Sequence, residues 1–313
     1  MENDLHVVFG TGPVGLATVD LLVDRGHRVR AVNRNGQAEV PKGVEVVGGD
    51  ATDPAFSTHA ARAAAVVYQC LNPPYTRWPE MFPPLQAGVV EGAAAAEAKL
   101  VVMENLYMYG PTRGAPLTES LPYLATGPKG KTRAKMAQDL LEAHRAGRVR
   151  VAIGRSSDYF GPRGLLSAMG ERVFYPALIG KKAQVIGDPD QPHAYSYIPD
   201  IAKGLVILGE RNEADGDAWH LPNATALTTR EFIEQVHAAA GTEPGIQAMS
   251  RFMVRLVGLI NGTVRELKEM LYEFEEPFVV DSRKFESVFG DHSTALSEAI
   301  PATVEWFRTH PKS

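Results

Sequence analysis

The stretch GTGPVG at 10–15 places Gly10, Gly12 and Gly15 in the G-x-G-x-x-G spacing, directly after the apolar run HVVFG and directly before the helical pattern LATVDLLVDRG. Glycine is demanded where a backbone must come within hydrogen-bond reach of a phosphate, because any side chain would hold the two apart. A helix that begins at such a loop adds its positive end. Pro13 suits the first helical turn, where a missing N–H costs nothing, and Val14 completes the loop. Gly10, Gly12, Pro13, Val14 and Gly15 are therefore predicted to cradle the pyrophosphate of a dinucleotide; the alternative is a tight turn that binds nothing.

Two further residues bear on which dinucleotide it would be. The run RVRAVNR at 28–34 leads into Asn33-Arg34-Asn35, where a site for NAD ordinarily offers a carboxylate to the ribose 2′-hydroxyl. A carboxylate would repel a 2′-phosphate, whereas an arginine can grip one through two parallel charge-assisted bonds. Asn33 and Arg34 thus predict NADP(H) over NAD(H), with NAD still possible and a solvated surface arginine as the alternative. Asp50, closing VEVVGGD at 44–50, either faces the adenine or caps the helix beginning near Asp53.

The elements that must position these residues follow from the hydrophobic pattern. Strands are predicted at 6–10, 28–34, 44–50, 64–70, 99–105 and 148–155, with helices at 16–26, 53–63, 80–97 and 130–147 between them. Strands alternating with helices imply right-handed crossovers and a parallel, doubly wound α/β sheet of the Rossmann type. After Gly161 the rhythm breaks. Proline and glycine punctuate 161–192, a helix is predicted at 228–240, and another at 250–275 opens with SRFMVRLVGLI, apolar over more than one face. The expected division is a dinucleotide-binding domain of 1–160 with 193–222, and a smaller substrate lobe of 161–192 and 223–313 laid over the carboxyl edge of the sheet.

Composition narrows the function classes. A chain of 313 residues with 44% hydrophobic and 22% charged content can bury a full core. Its net charge of −5, with no long run of lysine and arginine, argues against nucleic acid as a partner. No apolar run reaches the roughly 18 residues of a membrane span. A single cysteine, Cys70, excludes an internal disulfide and fits a reducing, cytoplasmic setting; it reads as a small buried hydrophobe rather than a nucleophile. His193 and His220 share no metal-ligand spacing, so no metal is expected.

With these motifs in order, the chain resembles the extended short-chain dehydrogenase/reductase superfamily, which holds the NAD-dependent epimerases and dehydratases. The similar segments are the glycine loop, YMYGPTRGAPLTES (107–120), RSSDYFGPRG (155–164), GDPDQPHAYSYIPDIAKGL (187–205) and WHLPNATALTTREFIEQV (219–236). The loop departs in one place, since Phe9 stands where the family's first glycine would fall, and Gly10 is expected to take over the turn. The family's chemistry uses Tyr-x-x-x-Lys on the helix after the fifth strand, with an upstream serine or threonine holding the substrate oxygen. In this chain the resemblance puts Lys129 at the tyrosine position, Arg133 at the lysine position and Asn105 at the serine position.

All three catalytic positions therefore depart from the pattern, as in an atypical branch of the superfamily. Asn105 can still orient a carbonyl through its amide. Lys129, with a like charge one turn on at Arg133, is one candidate proton donor, and Tyr107 is another, with Tyr109 and Tyr159 behind it. The bland alternative makes Lys129 and Arg133 a solvated helical face or phosphate anchors. The resemblance implies an NADP(H)-dependent oxidoreductase acting on the carbonyl or hydroxyl of a small organic molecule. Two alternatives remain open: a dinucleotide-binding sensor without hydride chemistry, and an epimerase or dehydratase that uses the cofactor transiently. It also suggests a homodimer through the helices at 80–97 and 130–147, for which VVEGAAAAEA offers a closely packing face, although that face could equally lie flat on the sheet.

Overall fold

The computed structural model describes residues 5–257, 259 and 266–312. Its described residues fall into two compact units, the first made of 1–108, 125–155 and 201–221 and the second of 109–124, 156–200 and 222–313. Relative to the expected division, the segments 109–124, 156–160 and 193–200, and Pro222, group with the second unit.

The first unit is built on seven parallel strands. In chain order its elements are β1 (Leu5–Phe9), α1 (Pro13–Asp24), β2 (Arg28–Asn33), β3 (Glu45–Gly48), α2 (Pro54–Ala61), β4 (Val66–Gln69), α3 (Trp78–Ala95), β5 (Lys99–Glu104), α4 (Pro128–Arg145) and β6 (Arg150–Arg155). A seventh strand, Asp217–His220, which the pattern did not predict, lies parallel beside β6. The sheet order places β3, β2 and β1 on one side and β4, β5 and β6 on the other, so the winding direction reverses between β1 and β4. In open α/β sheets the crevice at that reversal, beyond the carboxyl ends of the strands, is where ligands bind.

The central strands read as unbroken apolar runs because both of their faces are covered. Val7, Phe9, Val67, Leu100, Val102, Val151 and Ile153 are fully or almost fully buried, and Val89 and Ala93 of α3 and Leu140 of α4 close over them. Each such side chain contributes about 1.5–3 kcal/mol by leaving water. Part of the small-residue stripe of α3 packs inside this unit: a Cβ on Gly92 would lie 2.5 Å from the Ser57 carbonyl oxygen, so no larger residue fits there against α2, while Ala95 is exposed.

The second unit packs Phe160, Phe174, Phe232 and Phe307 into a core of its own, with three two-stranded ladders around it. Its helix Thr229–Ala240 starts with a full capping box between Thr228 and Glu231 and stops at Gly241 in the left-handed region (φ 76°). The helix expected at 250–275 is a short helix, Arg251–Val257, and a 3-10 stretch, Leu267–Phe274; 258 and 260–265 between them lie outside the described residues.

Candidate active site

The chain leaves β1 through Gly10, whose φ of 104° is open only to glycine. A Cβ there would lie 2.6 Å from the carbonyl oxygen of Cys70 at the end of β4, and one on Gly15 would lie 1.9 Å from the carbonyl oxygen of Gly10. Gly10 thus takes the tight turn despite Phe9, and Gly15 lets α1 close on the loop. Gly12 differs: it is the N-cap of α1, supplies no side-chain cap, and a Cβ on it would meet nothing within 4 Å. Open space in front of an uncapped helix N-terminus, with Pro13 and Val14 in its first turn, fits a pyrophosphate. Beside it, Cys70 is partly buried, and desolvation pushes its thiol up to about 12, which argues against a nucleophilic thiolate.

At the end of β2 the Asn33 side chain folds the following loop. Its amide donates to Thr11 Oγ1 (2.9 Å) and to the Gln37 carbonyl (2.7 Å), and its oxygen accepts from the Asn35 and Gly36 N–H groups. Thr11 belongs to the glycine loop, so Asn33 ties the two loops together. Arg34 is exposed. Asp50 accepts from Thr52 N–H and hydroxyl, bonds that hold its carboxyl below the usual range with a smaller contribution from Arg34. It makes a turn and does not cap α2; Asp53 does, accepting from the Ala55 N–H at 2.9 Å.

A second cluster forms where β5 and β6 end and α4 begins. Lys129 and Arg133 are only 1% and 2% exposed, which overturns the reading of a solvated helical face. Lys129 lies over the Tyr75 ring with Nζ 4.5 Å from its centre. Tyr75 packs edge-on against Trp78, Trp78 stacks on Tyr107 at 5.6 Å, and Trp78 Nε1 donates to the Pro73 carbonyl to fix the loop after β4. Arg133 lies over the Phe82 ring at 4.7 Å, and Nη2 donates to the Met103 carbonyl at 3.3 Å. Its charge faces Glu104, whose Oε1 is 3.9 Å from Nη2, while Glu104 Oε2 accepts from Arg155 Nε at 3.1 Å. Burial lowers the pKa of Arg133 and the Glu104 charge opposes that shift.

Asn105 sits half-buried at the carboxyl end of β5. Its Oδ1 accepts from Arg133 Nε (3.3 Å) and from the Tyr107 N–H (3.4 Å). Asn105, Tyr107, Lys129 and Arg133 are therefore brought together. The other two tyrosines belong to the second unit, where Tyr109 packs against Tyr123 and burial raises the Tyr159 phenol above its ordinary pKa. Glu104, Arg155, Tyr75, Trp78 and Phe82 were missed from the sequence. The available signal was a charge at the end of each of two apolar strands, Glu104 and Arg155, which prove to be direct partners in the β5–β6 register.

Elsewhere in the second unit His193 is 2% exposed, with Nε2 3.1 Å from Asp158 Oδ2 and Nδ1 3.0 Å from the Glu273 carbonyl. Among the described residues no group of three or more His, Cys, Asp or Glu could hold a metal, and no helix is long and apolar enough to cross a membrane.

A parallel sheet with its reversal at β1/β4 and a glycine cradle at that point defines a dinucleotide-binding fold of the doubly wound class. The family model "NAD dependent epimerase/dehydratase family" matches residues 7–221, and the chain belongs to that family. The UDP-glucose 4-epimerase of Bacillus subtilis is 28% identical over 167 residues, 46% of this chain and 49% of that one. Among solved structures, the epimerase Mth375 of Methanothermobacter thermautotrophicus superposes with a TM-score of 0.82 at 16% identity, covering 99% of this chain and 93% of that chain. The UDP-glucose 4-epimerase of Thermus thermophilus, in complex with NAD, gives 0.76 at 18% identity over 97% and 99%. These two likenesses are of fold.

Proposed function

We propose that the chain is an NADP(H)-dependent oxidoreductase acting on the carbonyl or hydroxyl of a small organic molecule. The observation that carries the reading is the cluster at the end of β5, where the Asn105 amide oxygen accepts from Arg133 and from the Tyr107 main-chain N–H, and the Lys129 ammonium lies over Tyr75 at one end of the ring stack Tyr75–Trp78–Tyr107. Gly10, Gly12, Pro13, Val14 and Gly15 hold the pyrophosphate. The exposed Arg34, with no carboxylate at the end of β2, favours a 2′-phosphate. When bound, the dinucleotide supplies or takes the hydride; Asn105 orients the substrate oxygen, and Lys129 or Tyr107 delivers the proton. Replacement of the family's tyrosine by Lys129 favours a second reading, a dinucleotide sensor that has lost hydride chemistry, and the family match keeps a transient use of the cofactor in view. The protein is proposed to work in the cytoplasm, possessing a small-molecule substrate and no nucleic-acid or membrane partner, as a homodimer; light scattering that gives a monomer removes the dimer.

Titration with NADPH and NADH, followed by a screen of carbonyl compounds by NADPH absorbance on wild type and Lys129→Ala, tests the reading. Turnover with NADPH that falls in the variant supports it. Unchanged turnover removes Lys129 from the chemistry. Tight NADPH binding without turnover of any compound favours the sensor, and a preference for NADH overturns the assignment of Arg34.

A further inference from the structure

We propose that Arg133 is a positioning residue that turns the Asn105 amide so that its oxygen faces the protein and its two N–H donors face the reacting oxygen. The site is then a donor site at that point, made for an acceptor oxygen such as a carbonyl or an enolate. This rests on the oxidoreductase reading, within which it narrows the substrate class to compounds that present such an oxygen.

The two ends of an asparagine amide are alike in shape, so its orientation is set by its neighbours. Here both neighbours of Oδ1 are donors only, the guanidinium Nε of Arg133 at 3.3 Å and the main-chain N–H of Tyr107 at 3.4 Å. Turning the amide over would set its NH2 group against two donors. Both contacts are long, and the one from Arg133 is the stronger because its donor is charged. Asn105 is half-buried, and among the described residues no acceptor takes its Nδ2 hydrogens.

Arg133 can hold Asn105 because it is itself held. It is 2% exposed, lies on the Phe82 ring, donates to the Met103 carbonyl and faces Glu104, which Arg155 fixes from the neighbouring strand. A guanidinium does not give up its proton near neutrality, so Arg133 acts through geometry and not as an acid. An amide turned this way cannot accept a proton from a substrate hydroxyl. It can stabilise negative charge growing on an oxygen, as oxyanion donors do. The proton must then pass through another group, so positioning and proton transfer are divided between Asn105 and its neighbours.

The test needs no substrate. The chain has eight asparagines, so selective 15N labelling of their side chains gives a sparse amide spectrum in which Asn105 is assigned by its loss in Asn105→Asp. In the wild type, alone and with NADPH, the Asn105 Hδ2 protons should give no strong nuclear Overhauser contact to the Tyr107 amide proton. In Arg133→Met that contact should appear, or the Asn105 pair should split into two populations; Arg133→Lys, which keeps the charge but loses the Nε donor, should do the same. A strong contact already present in the wild type overturns the proposal, as does an Asn105 orientation unchanged in both variants. Because Arg133→Met removes a buried contact, the wild-type and Arg133→Lys spectra decide if it fails to fold. Absence of turnover in the carbonyl screen would count against the oxidoreductase reading while leaving the amide orientation as measured, so the two failures are distinguishable. With a compound that turns over, Asn105→Asp should lower kcat about 100-fold with NADPH affinity intact.

Discussion

Replacing Gly12 and Gly15 in turn by alanine separates binding from folding within one loop. Gly12 has φ −75° and ψ −177°, a conformation any residue adopts, and its Cβ would meet nothing within 4 Å. Alanine is the poorer N-cap by roughly 1 kcal/mol, but it also restricts the unfolded chain and recovers about 0.4–1 kcal/mol. Gly12→Ala should therefore fold with a stability within about 1 kcal/mol of wild type. Its methyl group would occupy the space that a pyrophosphate needs. Losing one charge-assisted hydrogen bond from the loop costs about 1.5–3 kcal/mol, which weakens binding roughly 10- to 100-fold. In Gly15→Ala the methyl would sit 1.9 Å from a main-chain oxygen that cannot swing aside, so the variant should lose about 1–3 kcal/mol or more of stability before any ligand is added. Calorimetric titration with NADPH beside chemical denaturation reads both effects. The reasoning fails if Gly12→Ala binds NADPH as the wild type does, or if the two variants are equally stable.

Three further outcomes follow from the same geometry. Arg34→Ala should weaken NADPH roughly 10- to 100-fold while leaving NADH unchanged, as measured by paired titrations; equal losses for the two would assign Arg34 to the loop fold instead. Glu104→Ala, which strips the carboxylate from two buried guanidiniums, should cost about 3–5 kcal/mol in urea denaturation. Cys70 should resist iodoacetamide in the native protein at mildly alkaline pH and react once unfolded. Its thiol pKa rises on folding from an ordinary 9.0 to about 12, so its contribution is fully present below 9.0 and is lost as pH climbs through 12. Wild type minus Cys70→Ala should accordingly lose up to about 1.4 kcal/mol per pH unit across that window.

How much of this could be read beforehand depends on how local each constraint is. Gly10 and Gly15 were legible because the turn and the close approach of α1 demand glycine within six residues of chain, whatever lies elsewhere. The strands from β1 to β6 were legible because burial on both faces writes an apolar run. Asp217–His220 was not: it is short and mixed in character, and its place in the sheet comes from pairing with β6, more than sixty residues earlier. Lys129 and Arg133 were assigned the right helix but the wrong surroundings, since the rings that bury them come from 75–82 and 107 and only the fold brings those segments together. Asn33 was read for its charge, or lack of it, while its amide is engaged in tying loop to loop.

The departures from the family's pattern fit one another better than they fit a site in decay. A lysine at the position of Arg133 would present a compact charge on a flexible stem, whereas the planar guanidinium can donate through Nε to Asn105, through Nη2 to Met103 and lie flat on Phe82 at once. That rigidity is useful only if something beside it must be held in one orientation, and the Asn105 amide, unlike a serine hydroxyl that rotates to suit its neighbour, has an orientation to hold. Glu104 sets one negative charge between this guanidinium and that of Arg155, its partner across the sheet. An abandoned active site would have no reason to keep Arg133 buried against this amide with Glu104 and Arg155 behind it, because such charges are costly to bury and an apolar replacement would be as stable or more so.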